Sequence, residues 1–131
     1  MVNNLWYLNL KKSNLTPPNY IFSIIWTILY FTIILSIYIY INSKNYNILG
    51  IILFIIQLLL NLSWSSIFFK YKKLYESYNI MILLYIFTFL TYLNFKKVNK
   101  YAANLLIPYI IWLSFALYLN YYIVKHNLDF I

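Results

Sequence analysis

Three polar side chains recur at one-turn spacing inside an apolar segment of this sequence. Gln57, Asn61 and Ser65 occupy positions i, i+4 and i+8, which places them on one face of a helix. Carboxamide and hydroxyl groups at this spacing either hydrogen-bond to a neighbouring helix or orient the polar edge of a bound ligand. The spacing predicts an inward-facing polar stripe and leaves both uses open.

Three tryptophans lie inside apolar segments, and two of them offer a second kind of chemistry, which is stacking on a flat ligand; the third, Trp64, lies only a turn from Phe69 and is consistent with the membrane interface. Trp26 has Ser23 and Tyr30 on its helical face, and Ala116 follows Trp112 by one turn. Tryptophan usually lies at the membrane interface, where its N–H stays hydrated, so a deeper indole needs a partner. We expect Trp26 and Trp112 to line a pocket, and Ala116 either to admit bulk there or to let another helix approach.

Groups for acid–base or metal chemistry are scarce. The carboxylates are Glu76 and Asp129, the imidazole is His126, and there is no cysteine. These three ionisable groups lie outside the apolar segments, so neither a catalytic triad nor a metal cluster is expected. We therefore predict no catalytic residues of these kinds, no metal ion and no required cofactor.

The segments that must position these side chains are membrane spans. Of the 131 residues, 64% are hydrophobic and 9% are charged, which is too apolar for a single soluble core. Each apolar segment is close to the ~20 residues that a helix needs to cross the hydrocarbon layer. We predict one all-α integral membrane domain over residues 1–131, a bundle of four transmembrane helices at about 20–41, 48–69, 78–95 and 105–124.

The charges agree with this arrangement. All ten basic residues are lysines outside the apolar segments, as expected because a lysine at the bilayer centre costs roughly 2.5–3.5 kcal/mol on insertion scales. The net charge of +8 forms no continuous basic face, so membrane lipids are the predicted counterions and nucleic acid is not a predicted partner. Four spans place both termini on one side with six of the ten lysines, which favours a cytoplasmic location for the N-terminal segment and the C-terminal tail.

A proline pair marks the entry to the first span. Thr16 precedes Pro17 and Pro18, and proline restricts the residue before it to extended backbone while tolerating the first turn of a helix. The pattern predicts a rigid entry turn and a helix that begins at about Pro18 to Tyr20.

Three blocks of the sequence resemble the TspO/translocator protein family in order and spacing. They run from Trp6-Tyr7 through Pro17-Pro18 to Tyr30, from Gln57 to Ser65 with Phe68-Phe69, and from Pro108 through Trp112 to Tyr122. Together they cover most of the chain and leave residues 74–99 uninformative. The resemblance implies a five-helix bundle whose internal cavity binds porphyrins, sterols and synthetic drugs beneath the loop that carries the proline pair.

The resemblance also implies roles for individual residues. Trp26, Asn61, Trp112 and Ala116 match pocket positions, and Leu119, Tyr121 or Tyr122, and Lys125 match the cholesterol-recognition pattern of the family. The implied ligand is a tetrapyrrole such as protoporphyrin or haem, or a sterol-like molecule, and the implied assembly is a homodimer. The implied lid loop carries Trp6, Tyr7, Lys12, Pro17 and Pro18, with Lys12 placed to neutralise a propionate.

The sequence departs from the family pattern in several places. Ser13 and Leu15 replace an expected proline and tryptophan, and Ser23 replaces a glycine. No counterpart of the family's first helix precedes Trp6-Tyr7, which implies a fold of the family type minus that helix. One wall of the cavity would then be open or filled by lipid or a second subunit, unless the gene model is truncated.

Four functions are compared on this basis. The first is a membrane receptor or transporter-like protein that binds a tetrapyrrole or sterol-like ligand. The second is an enzyme that degrades porphyrin in light, an activity of some family members with paired tryptophans. A proton-coupled exporter ranks below both because no ionisable residue lies inside a span. A structural membrane subunit without ligand is the fourth.

Overall fold

The protein is an antiparallel bundle of four long helices. A computed structural model describes residues 19–67 and 74–126, and the part it describes contains no strand. The helices are α1 (Asn19–Ile41), α2 (Ile48–Ser65), α3 (Leu74–Val98) and α4 (Lys100–His126). Each is long and apolar enough to cross a membrane, so the predicted all-α fold class with four membrane-spanning helices is confirmed.

The last two helices are longer than their apolar segments. The sequence suggested a connection over residues 96–104, but only Asn99 separates α3 from α4. Asn99 caps α4, since its Oδ1 accepts hydrogen bonds from the backbone N–H groups of Tyr101 at 2.9 Å and Ala102 at 3.3 Å. Lysine is a good helix former and asparagine a good N-cap, so both helices continue past the hydrocarbon layer.

Helix α4 is central to the bundle. It packs against α1 and α3, and α3 also packs against α2. Small residues at the start of α4 allow close approach, since Ala102 and Ala103 are fully buried and Ser36 Oγ donates to the Ala102 carbonyl at 2.7 Å. Helix α4 therefore brings its own side chains within reach of the other three helices.

The apolar residues divide between a buried core and an exposed surface. The core is built from large side chains such as Ile33, Met81, Leu84, Leu106 and Leu113. The outer faces are equally apolar, and Phe31 and Ile111 are 73% and 65% exposed. An apolar exterior over the length of every helix is the surface that a lipid-embedded bundle presents.

Tyr40 joins α1, α2 and α3 at one end of the bundle. Its hydroxyl accepts a hydrogen bond from the Asn47 backbone N–H at 2.9 Å. The same hydroxyl lies 3.1 Å from the Asn47 carbonyl and from Asn94 Oδ1, either of which can accept its hydrogen. The ring stacks on Phe95 with centroids 4.0 Å apart. These contacts hold a fully buried tyrosine in one orientation.

Gly50, the single glycine of the chain, makes room for Tyr40. A Cβ at this position would overlap the Tyr40 hydroxyl and lie 2.5 Å from Tyr40 Cζ and 2.6 Å from Asn94 Oδ1. The Tyr40 ring cannot swing away because it is stacked and hydrogen-bonded. Close approach of the ring therefore requires glycine in the first turn of α2.

We predict that Gly50→Ala destabilises the protein by about 1–3 kcal/mol, the usual cost of overpacking a filled core. Helix propensity alone would make the alanine variant more stable by about 1 kcal/mol. A loss of stability would therefore show that the clash with Tyr40 outweighs helix propensity. The measurement is thermal unfolding in detergent followed by circular dichroism, with Ile52→Ala on the exposed side of α2 as control. An unchanged or raised midpoint for Gly50→Ala would contradict this packing.

Candidate functional site

A chain of hydrogen bonds crosses the middle of the bundle. The Tyr30 hydroxyl of α1 donates to Asn61 Oδ1 of α2. Asn61 Nδ2 donates to the Tyr109 hydroxyl of α4 at 2.8 Å, and that hydroxyl donates to Gln57 Oε1 at 2.9 Å. We call these four side chains the polar chain. It links three helices through groups that lipid cannot solvate.

The one-turn spacing of Gln57 and Asn61 explains why both reach Tyr109. Residues four apart lie above one another on a helix, and these two are 1% and 3% exposed. The predicted inward orientation holds for both, whereas Ser65 is only half-buried. Of the two uses that the sequence left open, interhelical hydrogen bonding is the one seen between these side chains.

An aromatic cluster borders the polar chain. Trp26 meets Trp112 edge to face, with centroids 6.3 Å apart and an interplanar angle of 88°. Trp26 also contacts Tyr109 at 6.4 Å and Tyr30 at 5.7 Å. Trp112 contacts Phe22 and Phe115, each at 5.6 Å. We call these six rings the aromatic cluster; Tyr30 and Tyr109 belong to both groups.

Some buried polar atoms around the two groups have no hydrogen-bond partner within the described part of the chain. They are Gln57 Nε2 and Trp112 Nε1. A buried polar group without a partner costs about 1–3 kcal/mol. Each of these two groups can only donate a hydrogen bond. Both donors therefore have an unused hydrogen bond for an acceptor atom that reaches the interior of the bundle.

The structure brings together the four residues assigned to the pocket by resemblance. Trp26, Asn61, Trp112 and Ala116 are all buried, and Tyr109 contacts both Trp26 and Asn61. Ala116 lies one turn beyond Trp112 on the same face of α4. Its methyl group leaves more space beside the indole than a larger side chain would.

Tyr109 is the site residue that the sequence reasoning missed. It is fully buried and contributes to both the polar chain and the aromatic cluster. Its position three residues before Trp112 places it on the tryptophan's face of the helix, and that spacing was the available signal. Sixteen tyrosines in the chain made the signal hard to separate from background.

The residues of the sterol pattern lie on two sides of α4. Leu119 is buried against the bundle, whereas Tyr121 and Lys125 are exposed and Tyr122 is half-buried. Lys125 Nζ lies 6.0 Å from the Tyr121 ring centroid, as expected for residues one turn apart. Residues 119 and 121 point about 200° apart around a helix. One sterol on the outer surface would reach Tyr121 and Lys125 but not Leu119.

Of the remaining predicted residues, those that the structure describes lie away from this site. Trp6, Tyr7, Lys12, Pro17 and Pro18, the predicted lid loop, fall outside the described residues. Glu76 is exposed in the first turn of α3 and position 126 ends α4. Neither ionisable residue is part of the polar chain or of the aromatic cluster.

We predict that Tyr109→Phe lowers the free energy of unfolding by about 1–3 kcal/mol, because it leaves two buried amides without their shared partner. The matched control on the same helix is Tyr101→Phe, whose ring is exposed. Thermal unfolding of both variants in detergent measures the difference. Equal midpoints for the two variants would show that the Tyr109 hydroxyl contributes no stability.

Comparison with known proteins identifies the family of this chain. The model of the TspO/MBR family matches residues 1–125. The tryptophan-rich protein TspO of Chlorobaculum tepidum is 39% identical over 125 residues, which cover 93% of this chain and 79% of that protein. The tryptophan-rich protein TspO of Archaeoglobus fulgidus is 36% identical over 123 residues, covering 93% and 80%.

A human relative extends the similarity beyond prokaryotes. The translocator protein of Homo sapiens is 30% identical over 128 residues, which cover 93% of this chain and 75% of that protein. The family match and the four membrane-length helices together identify an integral, multi-pass membrane protein. This chain belongs to the TspO/MBR family.

Proposed function

We propose that this protein is a membrane receptor or transporter-like protein that binds a tetrapyrrole, such as protoporphyrin or haem, or a sterol-like molecule between the aromatic cluster and the polar chain. The observation that carries the proposal is the buried pair Trp26 and Trp112 beside two unpaired donors, Gln57 Nε2 and Trp112 Nε1. Rings supply apolar contact, and a few polar groups fix orientation, which is the usual composition of a small-molecule site.

The chemistry of the site supports a ligand that is mainly apolar and carries oxygen. No lysine and no carboxylate lies within the central turns of the four helices, so a charged group of the ligand must extend towards the membrane surface. Lys12 is a proposed partner for a propionate there. Carbonyl or hydroxyl oxygens of the ligand would accept hydrogen bonds from Gln57 and Trp112 inside the bundle.

The ring geometry implies that binding rearranges the cluster. Trp26 and Trp112 are each in contact with other aromatic rings, so a planar ligand that stacks on either indole displaces one of these neighbours. The edge-to-face contacts given up are worth about 0.5–1.5 kcal/mol each. Stacking on a larger planar ligand would offset this loss, and ligand entry would be slower than diffusion.

The names of the relatives are compatible with this proposal. Relatives include a tryptophan-rich sensory protein of Cereibacter sphaeroides and the translocator protein of Ovis aries. Those names describe sensing and translocation. Family membership supports a receptor or transporter-like role, and we propose the ligand in addition.

Titration of the purified protein with protoporphyrin in detergent tests the proposal. We expect saturable quenching of tryptophan fluorescence with a shift of the porphyrin absorbance band. Asn61→Leu and Trp112→Leu should each raise the Kd about tenfold or more, which corresponds to about 1.4 kcal/mol of lost contact. The absorbance reading is needed because Trp112→Leu also removes a fluorophore.

The control for this titration is Ile111→Ala, which alters an exposed position next to Trp112 and should leave the Kd unchanged. Circular dichroism establishes that each variant is helical. A helical wild-type protein without saturable binding would refute the tetrapyrrole proposal and favour a structural membrane subunit. Equilibrium binding of radiolabelled cholesterol to the same variants tests the sterol-like alternative.

The same tryptophan pair supports a second candidate function, light-dependent degradation of porphyrin. Two indoles in edge-to-face contact stand where a bound macrocycle would stack, and indoles are readily oxidised side chains. In this reading Trp26→Phe and Trp112→Phe retain porphyrin binding but lose the light-dependent bleaching of the bound porphyrin. Absorbance recorded during illumination measures this, and a wild type that leaves the porphyrin unchanged rules the enzyme out.

The predicted assembly and orientation are separate proposals. A homodimer and a cytoplasmic position for both termini stay predictions, since neither follows from the contacts within one chain. Sedimentation in detergent and labelling of the termini in intact cells address them.

A further inference from the structure

Four helix ends and two short connections meet at one end of the bundle. They are the end of α1, the start of α2, the end of α3 and the start of α4, with residues 42–47 and Asn99 between them. Stacking of Tyr40 on Phe95 and its contacts with Asn47 and Asn94 hold these ends together. We call residues 42–47 and 96–101 the loop end.

A direct hydrogen bond joins the two connections. Asn99 Nδ2 donates to Ser43 Oγ at 3.0 Å. Lys44 follows Ser43 and Lys100 follows Asn99 in the sequence. This bond therefore brings together two lysines that are 56 residues apart in the chain.

The loop end carries a concentrated positive charge. Lys44, Lys96, Lys97 and Lys100 are all exposed. Glu76 is the single carboxylate side chain among residues 19–67 and 74–126, and it lies at the start of α3, at the far end of that helix from Lys96 and Lys97. Four like charges on so small a surface repel one another unless an anion lies between them.

Tyrosines place this charge at the depth of the lipid headgroups. Tyr46 and Tyr101 are 49% and 64% exposed, and Lys100 Nζ lies 5.3 Å from the Tyr101 ring centroid. Exposed tyrosines at a helix end mark the interface between hydrocarbon and water. Lysines beside them reach the layer of phosphate groups, where each contributes about 1 kcal/mol of attraction if the leaflet on that side contains anionic lipid, a factor of about five in affinity.

We propose that the loop end binds the phosphate of an anionic phospholipid through Lys44, Lys96, Lys97 and Lys100. The Ser43–Asn99 hydrogen bond makes these lysines one site by holding the two connections together. The site is separate from the aromatic cluster, and the proposal does not depend on what binds there.

Native mass spectrometry of the intact protein in detergent tests the proposal. Phosphatidylglycerol and phosphatidylcholine with the same acyl chains are titrated in parallel, and the Kd of each retained lipid is measured. We expect tighter binding of phosphatidylglycerol that weakens with added salt. The triple variant Lys96→Gln, Lys97→Gln, Lys100→Gln should lose this preference by more than tenfold, and substitution of all three by Arg should retain it.

Two further variants test whether lipid binding requires this particular site or only positive charge anywhere on the protein. Lys125→Gln removes a lysine that also sits over a tyrosine ring, but at the opposite end of α4, and should leave the high-affinity phosphatidylglycerol site intact. Ser43→Ala keeps every lysine while removing the bond to Asn99, and should weaken binding severalfold. Full affinity in Ser43→Ala would refute a site built from the two joined connections.

The remaining outcomes also decide the question. Equal affinity for the two lipids, or an equal effect of Lys125→Gln and the triple variant, would overturn the proposal. Competition by millimolar inorganic phosphate to the same extent as by lipid would show a site for free phosphate, which also overturns it. Should the triple variant lack helicity, the single variants Lys96→Gln, Lys97→Gln and Lys100→Gln replace it, each with an expected loss of about fivefold.

Discussion

The carboxamide of Asn61 is the interaction on which the centre of this bundle depends. In hydrocarbon a polar group must find its partner within the protein, and Asn61 uses its acceptor towards Tyr30 and its donor towards Tyr109. These two bonds connect α2 to α1 and to α4. Apolar side chains alone would not specify this arrangement, because lipid tails contact leucine and isoleucine as readily as another helix does.

A second set of contacts, at the loop end, fixes the helix positions that the hydrogen bonds of Asn61 do not determine. We call each set of contacts an anchor. Tyr40 and Gly50 bring α1 and α2 into contact just past their connection, and Phe95 extends the contact to α3. Two anchors at different heights restrict both the rotation and the tilt of the helices relative to one another. The exposed surface between them is left to lipid, which explains why so apolar a chain needs so few specific contacts.

Much of this fold is predictable from sequence because a bilayer imposes simple rules. Length and hydropathy predict four spans, and the spacing of Gln57 and Asn61 predicts which face of α2 points inward. The partners of that face are not predictable from spacing, since any of the tyrosines facing the interior could have supplied the hydroxyl. Tyr109 is the partner because α4 packs between α1 and α3. That packing depends on the whole bundle. The sequence also did not predict that α3 and α4 extend as far as Asn99. Hydropathy falls at the membrane surface whether or not the helix continues, so it does not show where a helix ends.

The side chains that specify the bundle are also those proposed to recognise a ligand, and this overlap constrains what mutation can reveal. Gln57 contributes its oxygen to the polar chain and keeps an unpaired nitrogen, and Trp112 packs in the aromatic cluster with an unpaired N–H. If these atoms only supported packing, replacing them with apolar groups of the same shape would be neutral or stabilising, since a buried donor without a partner is a cost. The two donors cost no stability in a complex whose ligand supplies the missing acceptor atoms. Stability without ligand and affinity for ligand should then change in opposite directions when these donors are removed, whereas loss of Asn61 or Tyr109 should lower both.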